Sequence, residues 1–364
     1  MIRRTADRTE PSSLASTCIE PPSRSLFRPL SRSSVASQAL IYDKYGAPDK
    51  TLKLRSAEPS ELSPGQVRIN ILASPVNPSD INTIEGVYPI QPPLPAVPGN
   101  EGVGEIQAVG DQVRELKQGD WVVPLRAGLG WWRAQATFPA EDLHCVPKDI
   151  GLTAAATLTI NPPTALRLLE DFVDLHPGDV VIQNGASSTV GQMVMQLAAA
   201  KGLRTVNLIR RRPQRLSDEE MADLGATLVT DVDNVKADMN AAGLPSASLA
   251  LNCIGGSSSL AIAKRLRQSG TMVTYGGMSK QPVIAPTPAF IFNDLRLRGF
   301  WLSGNKTEQD KGRVAAVLDQ IIRMYQNKKL IANKRQWMSL KEWQQALDPD
   351  RPSGTGFQPS KLEA

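Results

Sequence analysis

The sequence has few of the residues that form disulfide frameworks and metal clusters. Its 364 residues include three cysteines and two histidines. The cysteines, Cys18, Cys145 and Cys253, are odd in number and widely spaced, so they exclude a disulfide framework and indicate a reducing compartment. Neither His144 nor His176 stands in a cysteine-spaced ligand pattern, and we expect structural or surface roles for both.

Long apolar runs and a strong charge excess are also missing. No stretch approaches the ~20 apolar residues that a membrane-spanning helix needs. The formal net charge is +5, of which residues 1–39 contribute +3 through six arginines and three acids, so the remainder carries only +2. Such a balance argues against nucleic-acid binding. A hydrophobic content of 41% and a charged content of 21% describe a globular protein, and the length fits two domains.

Residues 1–39 are rich in serine, arginine and proline and have no hydrophobic periodicity. The arginines alternate with hydroxyl and apolar residues, and the stretch SLFRPLSRSSVAS would form a basic amphipathic segment. This composition is typical of a mitochondrial presequence and predicts a matrix protein. Asp7, Glu10 and Glu20 are atypical of transit peptides, so a plain disordered tail is the alternative.

From Gln38 the pattern changes to short strands separated by glycine and proline. The candidate strands read ALIYDKYG, QVRINILAS, EGVGEIQAVG, DWVVPL and WRAQATF. Closely spaced strands of this kind predict a compact, partly open β-barrel. Residues 77–102 lie between them as a long proline-rich loop, the kind of segment that carries function. Rigid packing around the barrel would explain the prolines equally well.

Residues 180–212 carry a dinucleotide-binding signal. In order, they contain a β-branched run (180–183), a turn of small residues (184–191), an apolar helical run (192–201) and a second β-branched run (205–209). Such a unit holds a pyrophosphate on the N-terminus of its helix. The turn lacks a full G-x-G-x-x-G, because Ala186 and Ser188 replace the first two glycines before Gly191. An ordinary α/β crossover is therefore the alternative.

Three arginines follow the second run, namely Arg210, Arg211 and Arg212. An NAD site would have Asp or Glu here to bind the ribose hydroxyls, whereas arginine suits a 2′-phosphate. The pattern favours NADPH as the cofactor. A solvated loop is the alternative.

Further strands alternate with helices beyond the arginines. The strands read ATLVTD, SLALNCIGG, TMVTYGG and RLRGFWLSG, and the helices include SSLAIAKRLRQSG and residues 313–327. A helix beginning at Asn161 precedes them. Six strands with crossovers predict a doubly wound parallel sheet with right-handed connections. The glycine pairs 255–256 and 276–277 end strands at the edge where such sheets bind ligands, although simple turns would also use them.

Several short motifs together resemble one family. They are NPSDINTIEGVYP, WWR, INPPTA, QNGASSTVGQ, RRRP, YGGM and GFWL, at residues 77–89, 131–133, 160–165, 183–192, 210–213, 275–278 and 299–302. From about Ala39 to about Leu347 the chain is similar to the zinc-free medium-chain dehydrogenase/reductases, and within them to the mitochondrial trans-2-enoyl-thioester reductases. The resemblance implies a presequence at 1–39, a GroES-like partly open β-barrel catalytic domain at 40–160 completed by 310–364, and a Rossmann NADPH-binding domain at 161–309.

The resemblance also implies roles for individual residues. Tyr88 would be the proton donor, although as a residue alone it could be an aromatic plug between Val87 and Pro89. Asn77 and Trp132 would line the substrate cleft. The residues expected to bind NADPH are Asn161, Ser187, Ser188, Thr189, Val190, Gly191, Arg210, Arg211, Arg212, Tyr275, Gly276, Gly277, Met278, Phe300, Trp301 and Leu302.

Two features depart from related patterns. The zinc-dependent members need a His-Glu pair, but this chain reads Gly99-Asn100-Glu101, so we expect no metal. We therefore expect Cys145 and Cys253 to be small buried residues. The C-terminus, DPDRPSGTGFQPSKLEA, replaces the family's usual short apolar strand and lysine, which could leave the first domain one strand short.

The implied reaction is NADPH-dependent reduction of trans-2-enoyl thioesters on acyl carrier protein or coenzyme A, by a homodimer. It needs a hydride at the β-carbon and a proton at the α-carbon, and a loop tyrosine suits the proton transfer. A zinc-free NADPH quinone reductase of the zeta-crystallin type is the enzymatic alternative. A non-catalytic NADPH- or RNA-binding protein is the alternative of another class.

Overall fold

A computed structural model describes residues 37–210, 216–304, 308–348 and 354–359, with no side-chain description at 308–311. Most of the predicted presequence, together with Arg211 and Arg212, lies outside these ranges. The described residues form a mixed sheet, a parallel sheet and a two-stranded ribbon.

The elements before the parallel sheet are mostly strands. They are β1 (Gln38–Tyr42), α1 (Pro48–Thr51), β2 (Leu52–Ser56), β3 (Gln66–Pro75), α2 (Pro78–Glu85), β4 (Val103–Val109), β5 (Trp121–Pro124), β6 (Gln135–Pro139), β7 (Leu143–Val146), α3 (Leu152–Ala156) and α4 (Asn161–Glu170).

The elements of the parallel sheet and the C-terminal segment follow. They are β8 (Val180–Asn184), α5 (Thr189–Ala200), β9 (Arg204–Leu208), α6 (Asp218–Asp223), β10 (Leu228–Thr230), α7 (Val235–Ala241), β11 (Ala247–Asn252), α8 (Gly256–Ala263), β12 (Leu266–Thr274), α9 (Thr287–Asn293), β13 (Arg296–Gly299), α10 (Glu308–Gln326), β14 (Gln336–Met338), α11 (Trp343–Ala346) and β15 (Thr355–Phe357).

The mixed sheet is centred on β3. Its strand order is β14-β15-β3-β4-β5-β7, and β6 also pairs with β3. In β3 the apolar residues alternate with polar ones, so Val67, Ile69 and Ile71 are buried while their neighbours are more exposed. The predicted strands of the barrel are confirmed.

The predicted loop 77–102 is in part a helix, which corrects the sequence interpretation. Pro78 opens α2, where a missing backbone donor has no cost, and the N–H of Asn77 donates to the Asp80 carboxylate at 2.8 Å. Gly86 ends α2 in the left-handed conformation, with φ 78°. Only the part from Gly86 onward is irregular, and it contains Tyr88.

The parallel sheet has the strand order β10-β9-β8-β11-β12-β13. Counted from β8, this is the 3-2-1-4-5-6 order of a doubly wound dinucleotide-binding sheet, so the predicted fold class is confirmed. One boundary was wrong, because the predicted helix SSLAIAKRLRQSG ends at Ala263. Leu266 instead pairs with Ala247 of β11 and buries its side chain in the core.

The C-terminal segment supplies strands to the first sheet. β15 pairs antiparallel with β3, and β14 pairs parallel with β15. Phe357 is fully buried, and its ring meets that of Trp132 edge-on at 5.1 Å. The first domain therefore has the strand that the altered C-terminus seemed to remove.

The two described cysteines differ in environment. Cys253 is buried, as expected. Cys145 was wrongly predicted to be buried. It is exposed, and the strand that holds it, β7, lies at the edge of its sheet in the described chain. No described helix is both long enough and apolar enough to cross a bilayer.

Candidate active site

The turn after β8 together with the start of α5 (residues 185–191, here the phosphate turn) has the geometry of a pyrophosphate site. Ser188 caps α5, and its Oγ accepts a hydrogen bond from the N–H of Gly191 at 3.2 Å. A Cβ atom at Gly191 would lie 2.4 Å from the carbonyl oxygen of Ala186, so helix and turn approach too closely for any other residue. The first two glycines of the dinucleotide-binding motif are missing from this sequence. The close contact at Gly191 nevertheless shows the tight approach of turn and helix that such a motif predicts.

Buried amide side chains of the parallel sheet hold the phosphate turn in position through hydrogen bonds. Gln183 donates to the Gly191 carbonyl at 3.0 Å and to Asn207 Oδ1 at 2.8 Å. Asn184 donates to Asn252 Oδ1 at 2.8 Å and accepts from the N–H of Cys253. The sequence interpretation missed these residues, whose only signal was a polar residue at the end of an otherwise apolar strand.

One further predicted cofactor segment, Tyr275 to Met278, lies at the same edge of the sheet. The N–H of Tyr275 donates to the Asn252 carbonyl, and that of Met278 donates to the Cys253 carbonyl, both at 2.9 Å. Gly277 and Met278 are exposed, with Gly276 partly so, and they can contact a ligand. The Tyr275 hydroxyl instead points inward, and burial, followed by the nearby Cys253, raises its pKa well above the usual range.

Arg210 stands exposed at the carboxyl end of β9, next to the phosphate turn's own strand. It has the position expected of a residue that reads the 2′ position of the adenosine ribose.

Tyr88, in the loop after α2, contacts a residue that follows β13 of the parallel sheet. Its hydroxyl oxygen accepts a hydrogen bond from Trp301 Nε1 at 2.8 Å, and the two rings are perpendicular at 6.0 Å. Phe300, the neighbour of Trp301, bonds to the Thr274 carbonyl through its N–H, and its ring packs against Arg167. The structure thus brings the predicted proton donor against a predicted cofactor segment.

Comparison with known proteins agrees with this geometry. A family model described as the alcohol dehydrogenase GroES-like domain matches residues 63–159, and one described as zinc-binding dehydrogenase matches residues 189–320. The human mitochondrial enoyl-[acyl-carrier-protein] reductase is 46% identical over 316 residues, covering 85% of this chain and 84% of that protein. The chain belongs to the mitochondrial enoyl-[acyl-carrier-protein] reductases.

Solved structures extend this likeness to the fold. The complex of Etr1p with NADP and crotonyl-CoA has a TM-score of 0.81 and 34% identity, covering 88% of this chain and 99% of that one. Etr1p is a mitochondrial 2-enoyl thioester reductase from Candida tropicalis. A putative NADPH:quinone reductase from Bacillus thuringiensis has a TM-score of 0.78 and 26% identity, covering 88% of this chain and 98% of that one.

The described residues do not fit the zinc that the second family model's name implies. At the position of the zinc members' His-Glu pair, Asn100 donates to Asp80 Oδ1 at 2.7 Å and accepts from the N–H of Gly128. Within the described ranges, no group of three or more His, Cys, Asp or Glu residues could hold a metal ion. We therefore assign no step of the reaction to a metal.

Glu101 instead joins a buried polar network, which includes two predicted site residues. Asn77 Nδ2 donates to Glu101 Oε1 at 2.8 Å, and Asn161 Nδ2 donates to Asn77 Oδ1 at 3.1 Å. The N–H of Ile160 donates to Glu101 Oε2 at 3.0 Å. Asn77 and Asn161 are 4% and 6% exposed, so they stand behind the site rather than on its surface.

Trp132 corrects the predicted substrate cleft. Its side chain is fully buried, and its indole N–H donates to the Pro75 carbonyl at 3.2 Å. It packs against Phe357 and Leu40 in the core between the ribbon and the C-terminal segment. A residue with no accessible surface cannot line a cleft, so Trp132 has a structural role.

The network predicts a pH-dependent stability. Burial raises the pKa of Glu101 to about 7, with Asp80 acting in the same direction, while the hydrogen bond from Asn77 and the charge of Arg335 oppose the rise. The folded chain therefore binds more protons than the unfolded chain between about pH 4.5 and 7, and its stability falls as pH rises through that window.

We expect Glu101→Gln to remove this pH dependence. The free energy of unfolding of the natural chain should fall relative to the variant by on the order of 1–3 kcal/mol from pH 4.5 to 7. Urea unfolding at several pH values measures the difference. A constant difference across the window would contradict the assignment of a protonated, buried Glu101.

Proposed function

We propose that this chain reduces trans-2-enoyl thioesters of acyl carrier protein or coenzyme A to saturated thioesters, with NADPH as reductant. The proposal is supported by family membership and by one observation, the hydrogen bond that joins Tyr88 to Trp301 at the edge of the phosphate-binding sheet. The proposed donor residue and cofactor segment come from distant parts of the chain, and the contact between them supports a reaction site at this position.

The phosphate turn and α5 would hold the cofactor, which supplies a hydride to the β-carbon when bound. Hydride addition leaves an enolate on the thioester, and protonation at the α-carbon completes the reduction. Because Tyr88 accepts its hydrogen bond from Trp301, its own O–H remains available to give that proton. The Trp301 N–H also stabilises the phenolate left behind, and the half-buried ring can regain its proton from water.

We expect Tyr88→Phe to lower kcat by roughly 10²–10⁴-fold, because the variant keeps the ring and loses only the transferable proton. Tyr45→Phe is the control, since the Tyr45 hydroxyl donates to the Pro92 carbonyl in the same region and has no part in the reaction. Steady-state kinetics with a trans-2-enoyl-CoA series, and cofactor titration, measure both variants.

An unchanged kcat in Tyr88→Phe would remove this residue from the mechanism. Turnover of a quinone by the natural chain, without turnover of any enoyl-CoA, would contradict the proposed function itself.

Arg210, with Arg211 and Arg212 beyond it, is proposed to select NADPH through the 2′-phosphate. The double substitution Arg210→Ala with Arg211→Ala should weaken NADPH binding by on the order of 1–3 kcal/mol per lost contact and leave NADH binding nearly unchanged. Arg204→Ala is the matched control, because Arg204 lies at the opposite end of β9 and donates to the Gly178 carbonyl. Equal losses for both cofactors would contradict the assignment.

The proposed assembly is a homodimer formed through β13 and α9. β13 is the last strand of the parallel sheet in the described chain, and Leu297 on it is 42% exposed. Beside it, Ile291 and Phe292 of α9 are 66% and 73% exposed. An exposed apolar edge strand is a template for pairing, and a second copy of the same edge satisfies it by two-fold symmetry.

Phe292→Asp should convert the dimer to monomer, as measured by light scattering, because a charge would be buried at the contact. A natural chain that is already monomeric at micromolar concentration would contradict the proposal.

The proposed location is the mitochondrial matrix, in line with the relatives' names, and import of a reporter fused to residues 1–40 tests it.

A further inference from the structure

Arg335, in the segment between α10 and β14, lies at the N-terminus of the phosphate-turn helix. Its Nη2 donates to Thr189 Oγ1 at 3.3 Å, and Thr189 is the first residue of α5. Asn333 ties the same segment to the helix by donating to the Thr189 carbonyl at 3.3 Å. A guanidinium group from the C-terminal part of the chain therefore stands where the helix offers its unpaired N–H groups.

The guanidinium has unused hydrogen-bonding capacity. Its Nε is buried and has no acceptor among the described residues. Arg335 forms no ion pair with any carboxylate in the described ranges, although the charge of Glu101 acts on it from the buried network. A guanidinium whose Nε is buried without an acceptor is costly, so its retention at this place calls for a ligand.

The surroundings specify an anion. α5 has twelve residues, and its dipole and first-turn N–H groups favour negative charge at this end. Arginine is suited to phosphate because its planar fork forms two parallel hydrogen bonds. The adenosine 2′-phosphate is expected elsewhere, at Arg210 beyond the carboxyl end of β9, so the anion expected at α5 is the pyrophosphate bridge.

We propose that Arg335, held at the N-terminus of α5 by its hydrogen bond to Thr189, binds the pyrophosphate of the cofactor. The assignment rests on the proposed NADPH-dependent function. It gives the C-terminal segment a part in cofactor binding, in addition to completing the first sheet. The competing interpretation is purely structural, with Arg335 only balancing the charge of Glu101.

Arg335→Met tests the proposal through three probes. Fluorescence titration should show Kd for NADPH and for NADH rising by roughly 10- to 100-fold, because both contain the pyrophosphate. Adenosine 2′-monophosphate lacks it and should bind the variant as it binds the natural chain. Lys334→Met is the matched control, since the neighbouring Lys334 is exposed and pairs with Glu220.

Affinities of NADPH and NADH within twofold of the natural values would overturn the proposal. An equal loss for adenosine 2′-monophosphate would also overturn it, because it would show general distortion of the site. If the natural chain binds neither dinucleotide, the proposed function fails, and this assignment fails with it.

A second variant separates binding from folding. Arg335→Met removes the positive charge that opposes the raised pKa of Glu101, which destabilises the chain where that carboxyl group is ionised, above about pH 7. The double variant Glu101→Gln with Arg335→Met also removes the carboxylate charge and should recover the melting temperature, while NADPH and NADH affinities stay low. Recovery of both stability and dinucleotide affinity in the double variant would establish the purely structural interpretation.

Discussion

The fold depends on one buried carboxyl group. Glu101 follows the irregular loop of the first domain, and its two oxygens accept hydrogen bonds from Asn77, at the start of α2, and from the backbone of Ile160, at the start of α4. No water is needed to satisfy it, and no exposed surface reaches it. The first sheet, the proline-rich loop and the first helix leading into the parallel sheet are thereby fixed relative to one another.

This constraint explains how a site can form between distant segments. α2 leads directly into Gly86 and Tyr88, and α4 packs against α5 and Phe300. Holding the starts of α2 and α4 together therefore holds Tyr88 near Trp301. Asn100 and Glu101, at the position of the zinc members' His-Glu pair, are both occupied by protein hydrogen-bond partners.

The C-terminal segment shows a second way in which the chain combines stability and chemistry. Phe357 closes the core around Trp132, while Arg335, directly before β14, reaches the first residue of α5. An altered terminal sequence can therefore preserve the sheet as long as a short strand ends in a large apolar residue. The pairing of β14 with β15 also positions Arg335 close to α5.

The sequence by itself determined the alternation of strands and helices, the parallel sheet and the position of the phosphate turn. These follow from local periodicity and from the close approach that Gly191 alone permits. It could not show that Trp132 is buried or that Cys145 is exposed, because burial depends on which distant segments pack there. The helix at 78–85 does have local signals, namely Pro78 at its start and Gly86 at its end, and the sequence interpretation missed them. The contacts of Tyr88 with Trp301 and of Arg335 with Thr189 span more than 140 residues each. Only the tertiary structure could decide them, since no local pattern encodes which ends of separate elements meet.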